Sequence, residues 1–194
     1  MPLYQNTSVT TDALILGNWK IQVATVATYL TVASVASAVT NLGAGMVNSF
    51  GHNVTKYDVQ AGNAPDPIEG IADETFVVSG DLMEFTVANV TTAWGGIVTT
   101  STAITTTLSI LSGGGKSEMT PKTFLLTNKR IVNGASVETN VIVYKGYMTN
   151  GPQFTTKSDN DADPITTYSF EIEGVIDGTR TAGDQLYSIH KWLD

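Results

Sequence analysis

Nearly a third of this chain consists of residues that branch at Cβ: 29 Thr, 19 Val and 13 Ile among 194 residues. Branching at Cβ restricts the side chain in a helix and suits the pleated surface of a sheet. The sequence therefore favours a mainly β fold. A chain of this length buries a core as one domain, and no composition shift marks a boundary, so we expect a single domain over residues 1–194.

Composition also narrows the function. The chain has no Cys and only two His, His52 and His190, which argues against disulfides, iron–sulfur clusters, thiol nucleophiles and Cys- or His-based metal sites. Its net charge of −8 argues against nucleic-acid binding, which requires a basic surface. We expect no catalytic residues, no cofactor and no bound metal, and therefore not an enzyme.

Alternating apolar and polar residues predict about seven strands, arranged as a β-sandwich or β-barrel. A turn or bulge is expected near residues 51–53, and Asn133-Gly134 predicts a hairpin between two of the strands. The extended stretches are 17–25, 46–60, 74–80, 97–111, 122–132, 137–148 and 165–177.

One helix is predicted to flank the strands, over about 81–94. Asp81 and Glu84 have the spacing of a capping box, and Met83, Val87, Val90 and Trp94 form one apolar stripe. A short C-terminal helix is predicted over 184–193 from the spacing of Leu186, Ile189 and Leu193. The Val-Ala-Thr/Ser triplets at 23–40 predict a strand, a loop and a short helix, because the polar residues wind around every face and leave no membrane span.

Three long loops are predicted at 61–73, 111–120 and 151–164, and loops of this length are often functional. Gly113–Ser117 ends like a phosphate loop but lacks its first Gly, and Pro121 follows closely, so a mobile loop is the better interpretation. Asp159, Asp161 and Asp163 alternate as in a calcium loop, but Pro164 and Phe170 replace its Gly and Glu, which favours a solvated acidic loop over an incidental weak cation site.

Two further patterns have an ordinary structural interpretation. No Gly-x-Ser-x-Gly flanks either histidine, so nothing favours a Ser–His–acid site, although folding could assemble one. Trp19, Trp94 and Trp192 fall in different elements and are interpreted as core or interface residues rather than as a sugar-stacking platform.

The order of the elements resembles that of the tail tube (major tail) proteins of long-tailed bacteriophages. The resemblance covers roughly residues 39–189 and excludes the triplets. Its parts are Leu42-Gly43, the extended stretches around 50–60, the strand at 74–79, the sequence Leu-Met-Glu-Phe-Thr-Val-Ala-Asn at 82–89 and the apolar strand ending at Asp177.

This resemblance implies a structural virion protein that is made in the bacterial cytoplasm and resides in the phage tail. Such subunits form hexameric rings that stack into a tube, with the tape-measure, tail terminator and tip proteins as partners and DNA only as passing cargo. It also implies that long loops join subunits, for which the candidate residues here are Tyr57, Asp58, Asp66, Ile68, Glu69, Lys116, Glu118, Asp159, Asp161 and Asp163. An acidic lumen would let a polyanion slide without binding.

Two other functions stay open at this point. One is another virion component: a head decoration protein, a head–tail connector or a type VI-like tube protein. The other is a carbohydrate-binding β-sandwich, which requires aromatic residues clustered on one exposed face.

Overall fold

The computed structural model describes residues 18–27, 31–59, 68–84, 86–95, 98–102, 109–115, 118–132, 135–155 and 167–193. The described part is mainly β, with ten strands and two short helices. In chain order these are β1 Trp19–Thr25, α1 Val32–Ala36, β2 Thr40–Val59, β3 Ile68–Leu82, α2 Val87–Ala93, β4 Val98–Thr102, β5 Ser109–Gly113, β6 Lys122–Val132, β7 Ala135–Met148, β8 Gln153–Thr155, β9 Thr167–Gly174 and β10 Tyr187–Leu193.

Six strands close into an antiparallel barrel. Pairing runs from β7 through β6, β1, β2, β3 and β9, and β9 pairs again with β7. β10 continues along β7 where β9 leaves it, β8 extends β9, and β4 and β5 form a separate hairpin. The mainly β prediction is thus confirmed, with more strands than the seven expected.

The barrel closes at a seam where Gly146 of β7 lies opposite Gly174 of β9. A methyl group placed on Gly174 would lie 2.8 Å from Cγ1 of Val143 and 3.1 Å from the backbone oxygen of Phe76. The three strands therefore approach each other too closely here for a side chain, and glycine permits the closure.

Two apolar clusters hold the structure together. The main core fills the barrel; α2 contributes Val90 and Ala93 to it, and Trp94, directly after α2, also belongs to it. α1 covers the outside of the barrel, where Val35 packs against Leu125 of β6 and Ile142 of β7. β6 is therefore buried on both faces in its middle, which agrees with its unbroken apolar run Phe124-Leu125-Leu126.

The strands β6 and β7 confirm two sequence predictions closely. β6 has the predicted bounds, and its antiparallel pairing with β7 confirms the hairpin across residues 133–134, which themselves lie outside the described residues. β1 and α1 likewise confirm the strand and short helix predicted for the triplet region.

The predicted helix at 81–94 begins too early. Asp81 and Leu82 belong to β3, and the helix spans only Val87–Ala93. Asp81 caps nothing, since its carboxylate accepts hydrogen bonds from Asn48 at 3.2 Å and Ser169 at 2.8 Å. Thr86 is the N-cap, and its hydroxyl accepts from the backbone N–H of Asn89.

Other sequence predictions are also wrong. Within the predicted loop 151–164, residues 153–155 form β8, and the single extended stretch predicted at 97–111 is divided between β4 and β5. The C-terminal segment is not a helix: residues 187–193 form β10, because seven residues there pair with β7. The predicted loop 61–73 becomes a strand at residue 68, where pairing with β2 begins, and residues 61–67 lie outside the described part. No turn interrupts β2 at residues 51–53; its irregularities lie between Val47 and Ser49 and between Thr55 and Lys56.

Candidate assembly surface

The β2–β3 hairpin extends well beyond the barrel wall. β1 pairs with β2 only as far as Gly45, and β9 pairs with β3 only from Phe76 onwards. Past these points the two strands pair only with each other among the described residues. We call residues 49–59 together with 68–75 the arm. Both of its outer edges carry backbone groups that can pair with another strand.

The arm exposes apolar side chains that the barrel would bury. Ile71 is 57% exposed and Val59 is 52% exposed, and Val54 and Tyr57 are similarly open to solvent. Isolated two-stranded ribbons are marginal in water, and natural proteins cover or charge long exposed edges. An arm with free edges and apolar side chains is therefore typical of a surface that another chain covers.

An aromatic ladder fastens the root of the arm to the barrel. The ring of Phe50 lies edge-on to Trp19, with centroids 5.2 Å apart, and Phe76 stacks on Tyr187 of β10 at 3.9 Å. Above them His52 lies edge-on to Tyr187, and its Nε2 is 3.4 Å from the carboxylate of Glu74. These contacts set the direction in which the arm leaves the barrel.

The tip of the arm is also ordered by local contacts. The Tyr57 ring lies across Gly70 on the opposite strand, so that a Cβ at Gly70 would come within 2.3 Å of it. An aromatic side chain that covers a glycine on the neighbouring strand stabilises such a pair. Next to them, Asp58 lies directly opposite Glu69, which places two carboxylates at one cross-strand position.

Asp184 helps to hold β10, and thereby the ladder, in place. Its carboxylate accepts hydrogen bonds from Tyr144 at 2.9 Å and Arg180 at 2.6 Å, and the Arg180 guanidinium stacks on the Tyr144 ring. Partial burial alone would raise the pKa of Asp184, but these two hydrogen bonds and the charge of Arg180 outweigh it and lower the pKa. The pKa of Tyr144 is raised, mainly by burial.

The structure brings together four of the ten residues proposed as inter-subunit contacts. Tyr57, Asp58, Ile68 and Glu69 meet at the tip of the arm, within strands rather than in a loop. Glu118 is exposed between β5 and β6, apart from the arm. Asp66, Lys116, Asp159, Asp161 and Asp163 lie outside the described residues.

The tryptophans and histidines considered as functional candidates lie in the core or in strands. Trp19 and Trp94 are buried in the main core, which confirms their interpretation as core residues. His52 and His190 lie in strands, not in a turn and a helix as expected. Ser188 lies 2.9 Å from Nε2 of His190, but Asp184, the nearby acid, is held by Tyr144 and Arg180.

Sequence reasoning missed the aromatic ladder and the reach of the arm. Phe76 and Tyr187 are far in sequence from Phe50 and His52, and only the alternation of Phe50 and His52 on one face of β2 signals the ladder. Within the described part of the chain, no group of three or more acidic or histidine side chains is placed to hold a metal ion. Neither helix described is long and apolar enough to cross a membrane.

No protein-family model matches the sequence, and no curated protein matches it significantly.

Proposed function

We propose that this chain is a self-assembling structural subunit of a bacteriophage tail tube, in which hexameric rings stack into an acidic conduit for DNA. The observation that carries the proposal is the arm, which holds two free strand edges and exposed apolar side chains out beyond a closed barrel. A second copy can cover these edges and bury these side chains in the same contact.

Two further observations support a tube rather than a catalyst. The element order resembles that of tail tube proteins, and a barrel with a projecting hairpin gives each subunit a rigid body and a connecting element. The net charge of −8 disfavours adhesion of DNA to the wall, because a surface of like charge gains nothing from releasing counterions.

The structure bears differently on the two alternative functions. Another virion component, such as a head decoration protein, a connector or a type VI-like tube protein, would also use an arm to join subunits, so the shape of the assembly separates it from a tail tube. A carbohydrate-binding module needs an exposed aromatic face. Trp19 and Trp94 are buried, which removes two of the three tryptophans from such a face.

Negative-stain electron microscopy of the purified protein over a range of concentrations tests the proposal. We expect rings or tubes with a central hole. A protein that stays monomeric at the highest concentration reached would contradict it, and closed shells or single rings that never stack would favour another virion component.

A matched pair of variants connects the assembly to the arm. Ile71→Lys places a charge in the exposed apolar surface of the arm and is expected to block assembly. Ile110→Lys is the control, because Ile110 is 37% exposed on β5, in the separate hairpin that β4 and β5 form. If both variants assemble like the original protein, the arm is not the surface that joins subunits.

A further inference from the structure

The tip of the arm carries an unfavourable pair of like charges. Asp58 and Glu69 lie directly opposite each other on β2 and β3, and like charges at such positions destabilise a sheet. The rest of the arm does not neutralise these two negative charges. It contains two more carboxylates, those of Asp73 and Glu74, and only one basic residue of the Lys or Arg type, Lys56. The described end of the arm therefore keeps an excess of negative charge, which Lys56, two residues from Asp58 on the same face, offsets only in part.

A groove on the barrel wall is lined by two lysines and one glutamate. Its floor is formed by β6, β1 and the beginning of β2, and Lys20 and Lys129 line it. Lys20 pairs in register with Thr127, and Lys129 lies two residues further along the same face of β6, so the two lysines are diagonal neighbours. Neither lysine forms an ion pair with a described residue.

The two carboxylates near this groove are directed elsewhere. Glu84 lines the groove, but its side chain lies over Gly43, where a Cβ would come within 2.7 Å of it. Glu138 lies opposite Lys129 in register, but its carboxylate accepts a hydrogen bond from Asn140 at 2.7 Å. Neither carboxylate forms an ion pair with Lys20 or Lys129, so both lysines can bind an incoming acid, although Glu138 is the cross-strand neighbour of Lys129.

We infer that the acidic tip of the arm docks into the lysine-lined groove of a second copy of this chain, an inference that rests on the proposed function. The pair Asp58 and Glu69 then meets Lys20 and Lys129, so that each repulsive pair neutralises the other. Such charge complementarity fixes the partner and its register, while the apolar residues of the arm supply buried area.

The topology requires that the contact between tip and groove form between two copies of the chain. β2 is one continuous strand from the groove at Ala44 to the tip at Asp58, so the tip lies about 45 Å from its own groove at the rise of an extended strand. The donor and acceptor surfaces differ, and such head-to-tail contacts propagate into rings or filaments. Each copy can give an arm and receive one.

Charge exchange tests this contact. The arm-reversed variant carries Asp58→Lys and Glu69→Lys, and the groove-reversed variant carries Lys20→Glu and Lys129→Glu. The arm-reversed variant keeps a like-charge pair of the opposite sign, whereas Lys129→Glu also places a like charge opposite Glu138. The free energy of unfolding of each variant is therefore measured beside its assembly. We expect each variant alone to assemble only at a concentration about tenfold or more above that of the original protein, because like charges now meet.

Recovery of assembly is the decisive measurement. An equimolar mixture of the two variants, or one chain carrying all four changes, places a basic tip against an acidic groove and is expected to restore assembly, measured by sedimentation and electron microscopy. Glu173→Lys, on the barrel wall in β9, is the charge-reversal control and is expected to assemble normally. Circular dichroism verifies that each variant is folded.

A second variant separates docking from a local effect. Asp58→Asn with Glu69→Gln removes the repulsion within the arm, so a purely local role predicts unchanged or improved assembly, whereas docking predicts weaker assembly.

If the original protein assembles and the reversed variants do too, or if the four-change chain fails to recover, the inference is overturned and the proposed function stands. If the original protein never associates at any concentration, both are overturned.

Discussion

The same two strands behave differently in the two halves of the β2–β3 hairpin. In the barrel half, Phe76 and Val78 are buried in the main core, because β9 pairs along the outer edge of β3. In the arm half, Ile71 and Val59 are equally apolar but more than half exposed, because no other described strand pairs with the hairpin there. Residue type therefore does not distinguish the halves; neighbouring strands do. Free energy of unfolding should depend on the barrel half, and association on the arm half.

The largest effect on stability is expected from the barrel half. Phe76→Ala removes a ring that stacks on Tyr187 and leaves a cavity in the main core. Such a truncation lowers the free energy of unfolding by about 3–5 kcal/mol. Denaturant unfolding measures this, with Tyr57→Ala in the arm as the counterpart. Equal losses at the two positions would remove the distinction between the halves.

The seam of the barrel provides a second test. Gly174→Ala places a Cβ against Val143 and the backbone of Phe76, and we expect a loss of about 1–3 kcal/mol from overpacking. Gly178→Ala is the control, since a Cβ there meets nothing within 4 Å. Thermal unfolding of the two variants compares them, and a Gly174→Ala protein as stable as the control would show that the seam is not close-packed.

A smaller effect is expected from pH at Asp184. Because its folded-state pKa is lowered, the carboxylate stabilises the fold above the ordinary Asp range near pH 4, and this contribution is lost as the pH falls through the folded-state pKa. The group is largely open to solvent, so the contribution is within about 1 kcal/mol. Asp184→Asn should narrow the stability difference between pH 7 and pH 3. An unchanged pH dependence would mean that Asp184 does not hold β10.

The smallest effect on stability is expected in the arm itself. Val54→Lys leaves the free energy of unfolding within about 0.5 kcal/mol of the original, as is usual for exposed positions. Its effect on assembly should be large, measured as the concentration at which sedimenting particles appear. Unfolding at markedly lower denaturant would indicate that the arm packs against its own barrel instead.

The sequence predicts the barrel half better than the arm. β6 follows from an uninterrupted pattern with a clear turn after it, because packing on both faces dictates residue type. The start of α2 is misplaced because Asp81 and Glu84 have capping spacing, and pairing of β3 with β9 overrides it. β10 has apolar residues at helical spacing, and only its long-range pairing with β7 makes it a strand.

The candidate surface is predicted only in part, for a related reason. Tyr57, Asp58, Ile68 and Glu69 are identified, but as loop residues. In the arm no buried face imposes a pattern, and the polar residues and prolines around 61–67 suggest a loop. That Asp58 faces Glu69 follows from the register of two strands, which depends on pairing rather than on either segment alone.

Hydrogen–deuterium exchange of the dilute and the concentrated protein tests most directly that the arm is the surface that joins copies. In dilute protein we expect the outer-edge amides of residues 49–59 and 68–75 to exchange rapidly and those of β6 and β7 slowly. On assembly, the arm amides should become protected while the barrel amides change little. Assembled particles in which the arm exchanges as fast as in the monomer would contradict this account.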